Sequence, residues 1–125
     1  MVSILIVSHS ALLSAGVQEF VAQVAGPDVR IAAVGGAPGG GLGTSVEQIR
    51  AALASVATAE GVLVLVDLKG AVIAVDAALE ALDDMRVIVS NAPLVEGAYL
   101  AAIEASVGAT LEETAAAALR AGDIL

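Results

Sequence analysis

Cysteine is absent from the 125-residue chain. Disulfides, thiolate nucleophiles and zinc sites built on cysteine are thereby excluded. Histidine occurs once, as His9, and a single imidazole among scattered carboxylates is a poor start for a transition-metal site. Aromatic residues are almost lacking: Phe20 and Tyr99 are the whole complement, which leaves no stacking platform for nucleobases. Positive charge is scarce as well, with five basic residues against fourteen acidic ones and a formal net charge of −9. A chain of this balance repels phosphate backbones and anionic lipid, which argues against binding nucleic acid or a membrane surface. No apolar run approaches the roughly 20 residues that a bilayer span requires. The start, MVSILIVSHS, has no basic n-region and no small-residue cleavage site. It reads as a strand and not as a signal peptide, and the expected compartment is the cytoplasm.

What remains is apolar and small. Hydrophobic residues make up 58% of the chain, most of them Ala, Val and Leu, enough for one closely packed core. No repeat, linker or charge block divides the sequence, which is read as a single domain over residues 1–125.

Short apolar runs alternate with helical patterns. Val2 to Val7 is a β-branched-rich run ending at Ser8-His9-Ser10 and predicts a buried strand. Leu12, Leu13, Gly16, Val17, Phe20, Val21 and Val24 recur at helical spacing until Gly26-Pro27 stops the helix. Asp28 to Val34 predicts a second strand, and residues 35–43, GGAPGGGLG, a glycine-rich loop. Thr44 is expected to open the next helix, with Glu47 placed as in a capping box, and that helix runs to about Ala57. Gly61 to Val66 is the most apolar strand and is closed by Asp67. A helix over about Ala71 to Leu82, a strand over Arg86 to Val89, and a helix with Pro93 in its first turn follow. Thr110 and Glu113 repeat the capping-box pattern before the last helix. This order predicts an α/β fold: a doubly wound open sheet, mainly parallel, of about four strands with helices on both faces.

In such sheets reactive groups gather beyond the carboxyl ends of the strands, at the switch in strand order. His9 and Asp67 each follow a strand directly, and the glycine loop follows a third, so three pieces of chain converge on one edge. His9, flanked by serines before a helix N-terminus, reads either as a histidine that caps the strand end or as a nucleophile beside anion-binding N–H groups. Asp67 is suited to accept the N–H of one ring nitrogen and so set the tautomer; capping a helix is compatible with that role. The six glycines of the loop, with Thr44 and Ser45 behind them, can bring backbone donors close to an anion, or form a plain surface loop. The loop is neither a P-loop nor a GxGxxG turn. Lys69 can contact phosphoryl oxygens or stay solvated, and Asn91 and Glu96 can line the same edge or serve as turn and helix-start residues. Ser8 and Ser10 adjoin His9 in sequence, which gives poor geometry for a serine–imidazole pair, and no GxSxG elbow is present.

The segments LIVSHS, GG…GGGLGTS, VLVLVDL…GA and NAPLVEGA together resemble the phosphoryl-carrier subunits of phosphotransferase-system-dependent dihydroxyacetone kinases. These are similar in turn to the enzyme IIA domains of mannose-type sugar permeases. The resemblance runs over essentially the whole chain in order. It implies a parallel α/β fold, a homodimer, no cofactor, and a histidine that takes a phosphoryl group from the carrier HPr. That group then passes to ADP on the partner subunit DhaL, which serves dihydroxyacetone bound to a third subunit. Carried over by position, the phosphorylated histidine is His9 and the adjoining aspartate is Asp67. Gly43, Thr44 and Ser45 fall on the GTS at the loop end, and Ser10, Lys69 and Gly70 complete the expected phosphoryl-binding set. From the family, Nε2 is expected to carry the phosphate with Nδ1 facing Asp67. One departure stands out: the family pattern Asp-Leu-Gly-Ser-Ala reads Asp67-Leu68-Lys69-Gly70-Ala71 here. With the chain ending at Leu125, a single carrier module dependent on separate HPr is expected. Alternative readings are a IIA domain serving a mannose-type transporter, a non-catalytic phosphorylation sensor, and a flavodoxin-like small-ligand domain.

Overall fold

The computed structural model describes residues 1–123. Its elements run β1 (Ser3–Ser8), α1 (Ala11–Ala25), β2 (Ile31–Gly35), α2 (Val46–Val56), β3 (Val62–Val66), α3 (Lys69–Glu80), β4 (Val87–Ser90), α4 (Leu94–Ser106) and α5 (Leu111–Leu119). A short 3-10 turn, Arg120–Asp123, follows. The four strands form one sheet in the order β2-β1-β3-β4, and every pairing is parallel. This is the α/β open sheet that the alternation of apolar runs and amphipathic helices implies.

The strands carry uninterrupted apolar residues because both faces are covered. Ile4, Ile6, Leu63 and Leu65 point to a core shared with Val17 and Val21 of α1, Ala98, Ala101 and Ala105 of α4, and Leu111 and Ala118 of α5. The alternate residues Leu5, Val7, Val62, Val64 and Val66 face the other side, against Ile49, Leu53 and Val56 of α2 and Ala71, Val75 and Ala78 of α3. The alanines let the helices approach the sheet closely, which is how a chain with so few aromatics fills its interior.

Helix ends follow local chemistry, with three adjustments. At α5 the Thr110–Glu113 capping box forms in both directions. At α2 the expected box does not form: Ser45, not Thr44, is the N-cap, its hydroxyl accepting from Gln48 N at 3.3 Å, while Glu47 turns to Arg50. Two hydroxyl residues in succession can both cap, and the anchoring of Gly43 to the β1 segment, described below, decides between them. Pro93 caps α4 instead of lying in its first turn. α3 begins at Lys69, two residues before the expected Ala71. β2 starts only at Ile31, because Pro27 to Val29 make a turn, and it takes in Gly35 from the expected loop. No helix among the described residues is long and apolar enough to cross a membrane.

Candidate functional site

Chain direction in the sheet reverses between its two central strands: α1 carries β1 outward to β2, and the chain returns across the sheet to β3 and then β4. The crevice at that reversal opens beyond the carboxyl ends of β1 and β3. In register Val7 pairs with Val66, so the next residues of each strand, Ser8-His9 and Asp67-Leu68, come side by side. His9 and Asp67 meet there although 58 positions separate them.

The Asp67 carboxylate is saturated with donors. Its Oδ1 lies 2.9 Å from His9 Nδ1 and accepts the Leu68 N–H at 2.7 Å. Its Oδ2 accepts the His9 backbone N–H at 2.9 Å and the Ser8 hydroxyl at 2.8 Å. Burial opposes ionisation of this carboxyl. The hydrogen bonds from the His9 backbone, the His9 ring, Ser8 and Leu68 outweigh it and hold Asp67 below the ordinary carboxylate range. A carboxylate so held only accepts, so Nδ1 carries the proton toward it, and in the neutral ring the lone pair lies on Nε2. The His9 side chain keeps 28% exposure against 14% for Asp67, so the ring is reachable while its orienting partner is covered.

Gly70 lies against the open nitrogen. A Cβ built there would sit 3.3 Å from Nε2, so the first turn of α3 passes directly beside the His9 ring. That helix has no side-chain cap, since its N-cap residue is Leu68. Among the described residues, the Lys69 and Gly70 N–H groups have no backbone acceptor. The start of α3, with these donors and the positive end of the helix dipole, therefore lies beside Nε2.

The other expected phosphoryl-binding residues are placed differently. Ser10 is the N-cap of α1, its hydroxyl accepting from Leu13 N at 3.1 Å, with its own proton free to donate. The Gly43 N–H, expected to serve the phosphoryl oxygens, donates to the His9 carbonyl at 2.8 Å. It ties the glycine loop to the β1 end, since a backbone donor in a fold of this kind is taken by the nearest acceptor. Ser45 caps α2, and Thr44 lies between these two anchors. Asn91 lines a groove with Asp67 and Lys69. Glu96 instead borders a separate groove beside Phe20 and Tyr99. Sequence reasoning missed Gly35, where a Cβ would stand 2.6 Å from the Ser8 carbonyl oxygen and 2.8 Å from that of Ser10. A glycine ending a strand was the available signal. No group of three or more metal-ligating side chains occurs among the described residues.

Comparison with known proteins follows the same outline. The family described as "PTS system fructose IIA component" (EIIA-man) matches residues 3–115. A Listeria innocua protein named "PEP-dependent dihydroxyacetone kinase 2, phosphoryl donor subunit DhaM" is 35% identical over 115 residues, covering 90% of this chain and 92% of that protein. A Pantoea ananatis protein named "PEP-dependent dihydroxyacetone kinase, phosphoryl donor subunit DhaM" is 35% identical over 127 residues, covering 97% of this chain but 27% of that protein. The chain thus spans nearly all of one relative and about a quarter of the other. A crystallised protein of unknown function superposes with a TM-score of 0.82 at 30% identity, over 95% of this chain and 93% of its own.

Proposed function

We propose that this chain, which belongs to the EIIA-man family of phosphotransferase-system IIA components, carries a phosphoryl group on His9 Nε2 for a dihydroxyacetone kinase. The observation that carries this reading is the His9–Asp67 pair at the sheet's switch point, with Nδ1 engaged at 2.9 Å and Nε2 facing the uncapped start of α3.

Phosphoryl transfer demands positioning and charge stabilisation more than covalent machinery. The Nε2 lone pair attacks phosphorus on the phosphohistidine of HPr, and the donor's P–N bond breaks as its imidazole leaves with the electron pair. The Nδ1 proton stays on His9, where Asp67 stabilises the positive charge that grows on the ring. The Lys69 and Gly70 N–H groups, the Lys69 ammonium and the Ser10 hydroxyl are the donors for the three phosphoryl oxygens. In the onward step the Nε2–P bond breaks and an oxygen of ADP on the DhaL subunit takes the phosphoryl group. The relatives' names favour this acceptor over a sugar transporter component. Leu12, Leu42 and Leu68, one from each segment around His9, are exposed apolar side chains of the kind a protein partner covers.

The test is phosphorylation by phosphoenolpyruvate, enzyme I and HPr. An acid-labile label is expected on wild type and none on His9→Ala. An unlabelled wild type, or a label unchanged in the variant, would overturn the reading. Reconstitution with the partner subunits then separates the roles: labelled His9 with turnover of dihydroxyacetone marks a carrier, and label without turnover marks a sensor.

A further inference from the structure

We propose that Ser8 is a positioning residue for His9: its buried hydroxyl locks the Asp67 carboxylate in the rotation that keeps the imidazole proton on Nδ1 and Nε2 free for attack. Where it concerns transfer rate, the proposal rests on the phosphohistidine reading; where it concerns the tautomer, it does not.

Ser8 is the last residue of β1 and has 0% exposure. Its Oγ accepts the Ser10 N–H at 3.0 Å and donates to Asp67 Oδ2 at 2.8 Å. The direction of the second bond is certain in chemistry, because an ionised carboxylate has lone pairs and no proton. Asp67 needs such a restraint. The terminal torsion of an aspartate is broad and nearly two-fold, so its two oxygens exchange places easily unless both are held. Oδ1 is held by Leu68 N–H and by the ring it serves. Oδ2 is held by the backbone N–H of His9 and by Ser8. Ser8 is the one donor among these that is neither backbone nor the histidine ring. It also joins the carboxylate to the start of α1 through Ser10, so the segment bearing His9 and the group orienting it move as one piece.

A second serine in the same fold separates this role from a merely structural one. Ser90 ends β4, is buried, and accepts the Ala92 N–H at 3.1 Å, two residues on, just as Ser8 accepts from Ser10. The turn is thus a device this sheet uses at two strand ends. Only at β1 does the serine hydroxyl also reach a carboxylate. A histidine side chain free in water prefers the proton on Nε2, the opposite of what transfer through Nε2 requires. The preference must be overcome by a carboxylate held in a fixed place.

Long-range proton–nitrogen correlation spectra of the nitrogen-15-labelled full chain report the His9 tautomer directly. Wild type is expected to show the Nδ1–H form alone. Ser8→Ala, and Ser8→Cys, which keeps the shape with a somewhat larger atom and supplies only a weak donor, are expected to admit the Nε2–H form. They should also slow phosphoryl uptake from phosphorylated HPr by about tenfold, the change expected for one hydrogen bond to a charged group. Ser90→Ala is expected to lower the melting temperature and leave tautomer and rate unchanged. A single Nδ1–H tautomer and an unaltered rate in both Ser8 variants would overturn the proposal. If wild type itself takes no phosphoryl group, the function reading fails, and the tautomer spectra still decide the part played by Ser8.

Discussion

Replacing Asp67 with asparagine changes almost no volume and removes one charge, which makes it the sharpest perturbation of the site. The carboxylate accepts four hydrogen bonds, from Ser8, the His9 backbone, His9 Nδ1 and Leu68. An amide has one accepting oxygen and one donating nitrogen, so it cannot satisfy both flanks. With its oxygen toward Nδ1 and Leu68, the amide nitrogen confronts the His9 N–H, donor against donor. With the amide turned, its N–H₂ faces Nδ1 and drives the ring proton to Nε2, which removes the attacking lone pair. A hydrogen bond to a charged group contributes about 1.5–3 kcal/mol. Either orientation forfeits one of the two bonds that run to His9, which withdraws about 1.5–3 kcal/mol from the transition state, or roughly 10–10²-fold in rate. Rapid-quench measurement of phosphoryl uptake from phosphorylated HPr reads this directly, and circular dichroism checks that the variant is folded. Asp76→Asn, on the exposed side of α3, serves as the control. A folded Asp67→Asn protein that is phosphorylated within about threefold of the wild-type rate would refute the reasoning.

The same carboxylate makes stability depend on pH. Because its folded pKa is depressed, Asp67 contributes stability that is fully present above the unfolded carboxylate value, about 3.9, and is lost as pH falls through the folded value. Denaturant titrations of wild type and Asp67→Asn should therefore differ most at neutral pH and converge below about pH 4; a gap that widens in acid would contradict the assigned direction. Gly35→Ala places a methyl group 2.6 Å from the Ser8 carbonyl oxygen and forces the β1–α1 turn to move. The expected cost is about 1–3 kcal/mol, a melting temperature lower by roughly 4–12 °C in calorimetry, with slower phosphorylation from the displaced His9. A melting point within a degree or two of wild type would show that the turn has slack.

Much of the fold is legible because its signals are local. The unbroken apolar runs of β1 and β3 report burial on both faces, and the Thr110–Glu113 pair announces the start of α5 four residues at a time. His9 and Asp67 are legible as candidates for the same reason, each being the polar residue that ends an apolar run. Where two local signals compete, as Thr44 and Ser45 do for the cap of α2, the sequence offers no means to choose. The Gly43 N–H illustrates the harder case, since its acceptor is the carbonyl of His9 on a distant segment.

By itself the sequence determined which stretches become strand and helix, and which polar groups stand at the strand ends, because those follow from side-chain periodicity and turn chemistry within a few residues. The tertiary structure decided which ends meet. The order β2-β1-β3-β4 and the register of Val7 with Val66 set Ser8, His9 and Asp67 side by side and bring Gly70 up to Nε2. Position after a strand places His9 and Asp67 on one edge of the sheet but does not fix their contact. That contact depends on strand order and register, which are settled by packing two helical layers against both faces of one sheet.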